Sequence, residues 1–167
     1  DFKSTNLVIQ ELLNAMTFTS FKGLFFFASS IAVYGSVQSS KNIKENHNLN
    51  PESFYGNSKL IAEQQIRFIS KNSKFKSIVL RFSSVYGPGL KRQIVYQILK
   101  QLISKKNINL YGSELDRRQF LYVKDCAKIL ELLVHLKYKN FQVYNVASGK
   151  KIKIINLIKI LEKKLDR

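Results

Sequence analysis

The amino-acid sequence predicts an α/β fold built on a mostly parallel sheet, and three observations carry that prediction. Stretches with apolar residues at helical spacing alternate along the chain with continuous apolar runs of strand length. That alternation, helix then strand from one end to the other, is the pattern of parallel strands joined by crossover helices. Neither an internal repeat nor a low-complexity linker interrupts it.

The elements follow in order. Residues 7–16 (LVIQELLNAM) place apolar side chains at helical spacing with no breaker. After Gly23 the run LFFFAS is short and continuously apolar, as a strand buried on both faces must be, and it closes in Ala28, Ser29 and Ser30. Residues 35–51 are rich in Ser, Asn and Lys and predict a loop. A second helix is expected over residues 53–72, with Ile61, Ile66 and Ile69 among its apolar positions. SIVLRF (77–82) is the next buried strand, and Gly87-Pro88-Gly89 ends regular structure beyond it. Residues 94–103 are helical, 108–111 and 120–123 are short strands, and Asp125 stands where an N-cap belongs before CAKILELLVHL. VYNVA (143–147) is a further strand, closed by Gly149, and an amphipathic basic helix starts at Ile155. Ligands of such sheets bind at the C-terminal ends of strands, and Ser30, Ser84 and Tyr86 lie just past strand ends.

The 167 residues, 45% of them hydrophobic, suffice for one domain or part of a larger one. The longest strongly apolar stretch, around Leu24 to Ala28, is strand-sized, and no signal peptide opens the chain, so no membrane partner is expected. The single cysteine, Cys126, allows no internal disulfide, which fits a cytoplasmic location. Twenty-eight basic residues against 11 acidic give a net charge of +17, an excess that raises nucleic-acid binding. The excess is mostly Lys and scattered, so it reads as solvated surface with some value for attracting an anionic substrate, and no nucleic-acid partner is expected. His47 and His135 each lack a second ligand at metal spacing, so no metal site is expected. The chain begins at Asp1 and its only methionine is Met16, so the expectation is a fragment, a processed product or a partial gene model.

Tyr55 and Lys59, in YGNSK, are spaced i, i+4 and share one helix face. A free phenol, with a pKa near ~10, is a poor base at neutral pH. A neighbouring ammonium favours its charged form, which makes the pair a candidate activated general base. The spacing alone is common on exposed helices, but its setting is specific. Upstream, a buried strand ends in Ser29-Ser30 and Val33-Tyr34-Gly35 follows; downstream, a second strand runs into RFSSVYGPG.

The pieces FASSIAVYG, NPESFYGNSKLIAE, LRFSSVYGPG, RRQFLYVKDCAKIL and YNVASGKKI resemble the extended short-chain dehydrogenase/reductase family. The resemblance is to its NAD-dependent epimerase/dehydratase branch, the UDP-glucose 4-epimerase-like members in particular, and covers about residues 12–161. It implies a doubly wound, Rossmann-like parallel sheet lacking its N-terminal strands, with a small substrate-binding portion. Residues 1–89 would form the C-terminal part of the NAD(P)-binding domain. Residues 90–167 would form the substrate-binding portion, interleaved with elements returning to the sheet at about 120–149. Ser30, Tyr55 and Lys59 would be the catalytic triad: Ser30 hydrogen-bonds the reacting sugar oxygen, Tyr55 takes or returns its proton, and Lys59 favours the phenolate and holds the nicotinamide ribose. Ser29, Tyr55, Lys59 and Phe82 would line the cofactor, which is NAD with NADP as the alternative. Ser30, Ser84, Tyr111 and Arg118 would bind a nucleotide-sugar substrate, Arg118 through the fork that suits phosphate oxygens and Tyr111 by stacking on the base. The full-length form would be a homodimer, and polysaccharide biosynthesis is the family's common setting.

Departures from the family pattern narrow the reaction. The family often has Asn at the position of Ser84. Its 4,6-dehydratases follow the catalytic hydroxyl residue with acidic groups, where this chain has Ile31 and Ala32, and its 3,5-epimerase/reductase relatives use Cys at Ala32. That leaves C4 epimerization of a UDP-hexose or reduction of a 4-keto nucleotide sugar. The family's glycine-rich phosphate turn has no counterpart in these residues, since Pro88 and Arg92 spoil Gly87-x-Gly89, so a catalytically inactive fragment is the reading from another class.

Overall fold

The computed structural model describes residues 2–36, 43–104, 107–110 and 112–166. In chain order the elements are α1 (Phe2–Phe18), β1 (Leu24–Ser30), a short 3-10 turn (Ile31–Tyr34), α2 (Phe54–Lys71), β2 (Lys76–Phe82), β3 (Ser84–Tyr86), α3 (Ile94–Ile103), β4 (Arg117–Tyr122), α4 (Val123–Val134), β5 (Phe141–Val146), β6 (Lys151–Lys153) and α5 (Ile154–Lys164). They divide into two compact units, Asp1–Phe82 with Leu132–Val146, and Ser83–Glu131 with Ala147–Arg167. The break falls after Phe82 and the return to the first unit spans Leu132–Val146, where the sequence suggested Gly89 and about 120–149.

The first unit is the α/β fold the alternation predicts. Its sheet runs β1-β2-β5, every pair parallel, with Ser30 opposite Phe82 and Phe82 opposite Val146. Central β2 is buried on both faces, which explains its unbroken apolar run: Ile78, Val79 and Leu80 are all essentially inaccessible. Helix α2 is the crossover from β1 to β2. Its Ala62 and Ile66 pack with Ile9, Leu13 and Met16 of α1, Phe27 of β1 and Val79 of β2 in one core cluster. Each such large side chain contributes about 1.5–3 kcal/mol by burial. Ser53 caps α2, accepting the Gly56 amide at 3.0 Å, so the helix begins just before Tyr55.

The second unit holds a smaller mixed sheet, β3-β4-β6, with β3 parallel and β6 antiparallel to β4. Ile98 and Leu102 of α3 and Ile154, Leu157 and Ile158 of α5 form its core cluster, on which Phe120 and Ile152 pack.

Three expectations are corrected. Residues 108–110 form no strand. The backbone of Asn109 is satisfied instead by the side-chain amide of Gln101, which accepts its N–H at 2.7 Å and donates to its carbonyl at 3.3 Å. Asp125 sits in the first turn of α4 and not at its N-cap, because the helix starts directly from β4 at Val123. Ser84 and Tyr86 lie inside β3 and not just past a strand end, because β3, like β6, is only three residues long and was invisible in the sequence. Among the described residues no helix is long and apolar enough to cross a membrane.

Candidate active site

The segment 28–32 at the end of β1 is gripped by α2 from both sides of Ser30. Before Ser30, the Lys59 ammonium donates to the Ala28 carbonyl at 3.1 Å. After it, the backbone of Gly56 backs onto the Ala32 carbonyl so closely that a Cβ there would stand 2.5 Å from the oxygen. Only glycine allows that approach next to Tyr55. Gly35 does the same service for the loop: it adopts φ 67°, and a Cβ would meet the Asn50 carbonyl at 2.0 Å. These two contacts hold the part of α2 that carries Tyr55 and Lys59 against the segment that carries Ser30.

Their side chains are free for chemistry to different degrees. The Ser30 oxygen accepts the Ala32 amide at 3.2 Å, capping the 3-10 turn and leaving its own O–H to donate. Tyr55 is 56% exposed, and its hydroxyl has no hydrogen-bond partner among the described residues. The Lys59 ammonium lies 5.0 Å from the centre of the Phe27 ring and 5.8 Å from that of Tyr55. Burial lowers its pKa below the ordinary lysine value. It uses one of three donors on Ala28, so two remain.

The proposed cofactor contacts differ in character. Ser29 is buried and gives its hydroxyl to Glu63 at 2.5 Å, which leaves only its main chain for a ligand. Phe82 is half-buried at the C-terminal end of β2, opposite Ser30. Sequence reasoning missed the next residue. Ser83 is buried, and its hydroxyl has no partner among the described residues. An unsatisfied buried hydroxyl costs about 1–3 kcal/mol, which a ligand's polar group would recover. The serine pair after the strand was the available signal.

The substrate candidates stand in the second unit. Ser84 of β3 pairs in register with Phe120 of β4, and Arg118 lies two residues before Phe120. By the pleat, Ser84 and Arg118 project from the same face of this sheet. Arg118 is half-buried and without a hydrogen bond or ion pair among the described residues, whereas Arg117 is exposed. Beyond the ends of β3 and β4 an apolar cavity of about 510 Å3 opens, lined by Tyr86, Pro88, Leu90, Tyr96, Leu99 and Tyr122 among others. Tyr111 lies outside the described residues.

Comparison with known proteins decides the family. Residues 1–147 match the model of the NAD dependent epimerase/dehydratase family. The chain belongs to that family. An uncharacterized UDP-glucose epimerase of Bacillus subtilis is 27% identical over 155 residues, 92% of this chain and 48% of the relative. A dTDP-4-dehydro-6-deoxyglucose reductase of Escherichia coli is 32% identical over 149 residues, 86% of this chain and 46% of the relative. The crystal structure of the UDP-glucuronic acid 4-epimerase of Bacillus cereus, in complex with UDP-glucuronic acid and NAD, superposes with a TM-score of 0.88 at 26% identity. The match covers 98% of this chain and 52% of the epimerase. The chain thus spans about half the length of the curated relatives it matches.

Proposed function

We propose that this chain carries the reacting half of an NAD-dependent enzyme that inverts C4 of a UDP-hexose through a transient 4-keto sugar. The observation that carries the reading is the double grip of α2 on residues 28–32, through the Lys59 ammonium and the Gly56 backbone. It supports the reading because it holds the turn of α2 that carries a phenol and an ammonium against the strand that ends in the Ser30 hydroxyl.

The residues divide the work. The Ser30 hydroxyl hydrogen-bonds O4 and orients it. Tyr55 takes the O4 proton and later returns it. The Lys59 ammonium, 5.8 Å from the Tyr55 ring centre, offsets the charge that develops as that proton moves and retains donors for the nicotinamide ribose. NAD, when bound, supplies the hydride acceptor and donor at C4. Hydride leaves one face and returns to the other, so the reaction is redox-neutral overall. Phe82, the main chain of Ser29 and the buried hydroxyl of Ser83 are the groups that fit the cofactor. Arg118 and Ser84 would hold the diphosphate, the guanidinium through its fork and the serine as a donor, and Tyr111 would stack on the base. Ile31 and Ala32 offer no acid for expelling water, which argues against dehydration.

A second reading, reduction of a 4-keto nucleotide sugar with NADH or NADPH, is favoured by the 32% identity to the Escherichia coli reductase. Tyr55 would then protonate the ketone oxygen as hydride arrives. The two readings separate on one assay. An epimerase interconverts UDP-glucose and UDP-galactose with no net change in nicotinamide absorbance, and a reductase consumes the reduced cofactor. Thermal unfolding with and without NAD and UDP-glucose tests both. A ligand at about 100 times its Kd adds about 2.7 kcal/mol, and the absence of any shift with either ligand points to the inactive fragment. The enzyme is further proposed to be cytoplasmic, with its one cysteine free and buried. In the full-length form it would be a homodimer, for which the exposed Leu7, Val8 and Leu12 of α1 and Phe68 of α2 offer an apolar surface. Sedimentation measures that state.

A further inference from the structure

Behind the candidate triad lies a buried polar chain that the proposed reaction does not use. Glu63 stands one helical turn past Lys59 and two past Tyr55 on α2, and its side chain is 4% exposed. Its carboxylate accepts the Ser29 hydroxyl from β1 at 2.5 Å and three hydrogen bonds from Arg81 of β2, at 3.1, 3.2 and 2.7 Å. Ser29 and Arg81 are register partners in the sheet, so two directly opposed residues converge on one carboxylate. The other edge of Arg81 donates to the Tyr34 hydroxyl at 2.8 Å and the Glu45 carbonyl at 3.0 Å. Tyr34 in turn donates to the Asn145 amide oxygen of β5 at 2.7 Å. Burial opposes the Arg81 charge, but the hydrogen bonds to Glu63 and Tyr34, with the Glu63 charge, outweigh it and raise its pKa.

We propose that Glu63 and Arg81 are positioning residues: their buried ion pair, extended through Ser29, Tyr34 and Asn145, fixes the axial and rotational setting of α2 and thereby where Tyr55 and Lys59 stand against the end of β1.

The physical reason is directionality. The apolar contacts of Ala62 and Ile66 hold α2 onto the sheet, but hydrophobic attraction is non-directional and tolerates neighbouring settings of the helix. Sliding α2 by one residue moves it about 1.5 Å. That displacement carries the fork between Glu63 and Arg81, already at 2.7 to 3.2 Å, out of hydrogen-bond geometry. A buried pair adds little net stability over well-packed apolar residues. Its use here is therefore geometric, and it accounts for motif residues (Ser29, Tyr34, Glu63, Arg81, Asn145) that surround the triad without belonging to it.

This inference rests on the reading of Tyr55 and Lys59 as the working pair, and its test needs no turnover. In the full chain with isotope-labelled lysine, the Lys59 signal is assigned by its loss in K59Q and titrated without cofactor or substrate. The double variant E63M/R81M removes both charges with side chains of similar length, so that it folds with no orphaned ion. Its Lys59 midpoint should move up toward the ordinary lysine range as the ammonium leaves its half-buried seat, while the other lysines titrate as before. R81K, which keeps the charge but loses the fork, should move it less in the same direction. Where the chain turns over, kcat falls and KM holds. A folded E63M/R81M whose Lys59 titrates as in the parent overturns the proposal, and should that variant not fold, an unmoved midpoint in R81K overturns it. The expected shift in a chain with no activity overturns the catalytic reading alone.

Discussion

The two units treat their polar side chains in opposite ways. In the first, Ser29, Tyr34, Glu63, Arg81 and Asn145 are bonded to one another in the interior, and the candidate reacting groups project from the frame they make. In the second, the side chains of Ser84 and Arg118 are half-buried and unengaged among the described residues. The first arrangement fixes distances, as bond-making requires. The second leaves donors unengaged among the described residues, as the proposed binding of a diphosphate would require. Substitutions should separate along the same line.

Tyr55→Phe gives the largest effect. It removes one exposed, unpartnered hydroxyl, so thermal stability should stay within about 0.5 kcal/mol of the parent. Interconversion of UDP-glucose and UDP-galactose should fall by about 10²–10⁴-fold, the usual worth of a positioned general base. Activity that survives in Y55F would break the assignment of chemistry to the first unit.

Glu63→Leu comes next and touches stability first. It leaves the Arg81 guanidinium buried without its carboxylate, at a cost of about 3–5 kcal/mol in chemical denaturation. A much smaller loss would mean that Tyr34 and the Glu45 carbonyl already satisfy Arg81 and that the frame is looser than its hydrogen bonds suggest.

This contrast also explains what could be read from the sequence. The strands and helices of the first unit were legible because burial of β2 on both faces forces an unbroken apolar run and because Ser53 marks a helix start; β1 was read as buried on both faces, but only Phe27 and Ser29 are buried there and Ala28 is exposed. The candidate triad was singled out because the chemistry proposed for it constrains residue type and spacing together. The frame was not. A Glu on a helix and an Arg in a strand are ordinarily surface residues. Nothing in their spacing says that residues 63 and 81 meet, since that depends on the register that sets Ser29 against Arg81. In the second unit β3 and β6 are too short to show a period, and Gln101 substitutes for a neighbouring strand at Asn109. Ser83 escaped for a different reason: the serine pair after the strand is visible in the sequence, but it does not say that the Ser83 hydroxyl is buried without a partner among the described residues.

Arg118→Ala should show the opposite profile to E63L. The guanidinium has no partner to orphan among the described residues, so stability should hardly change. Affinity for UDP-glucose, measured by calorimetry, should fall by about 1.5–3 kcal/mol, the range for a hydrogen bond to a charged group. Arg117→Ala, at the exposed neighbour, should do neither, and equal losses from the two would dissolve the distinction between them.

The smallest effect lies in the pH dependence of stability, and it sharpens the picture of Lys59. Burial lowers its pKa in the folded chain, so between that value and the ordinary lysine value the unfolded chain binds more protons than the folded one. Stability therefore carries a penalty at neutral pH that is relieved as pH rises through this window. Lys59→Met removes the titrating group and with it the slope. Denaturant midpoints of the parent and K59M across an alkaline pH series should show the parent gaining on the variant as pH rises. Parallel curves would mean that the ammonium, half-buried beside Phe27 and bonded to Ala28, is as well solvated in the folded chain as in the unfolded one.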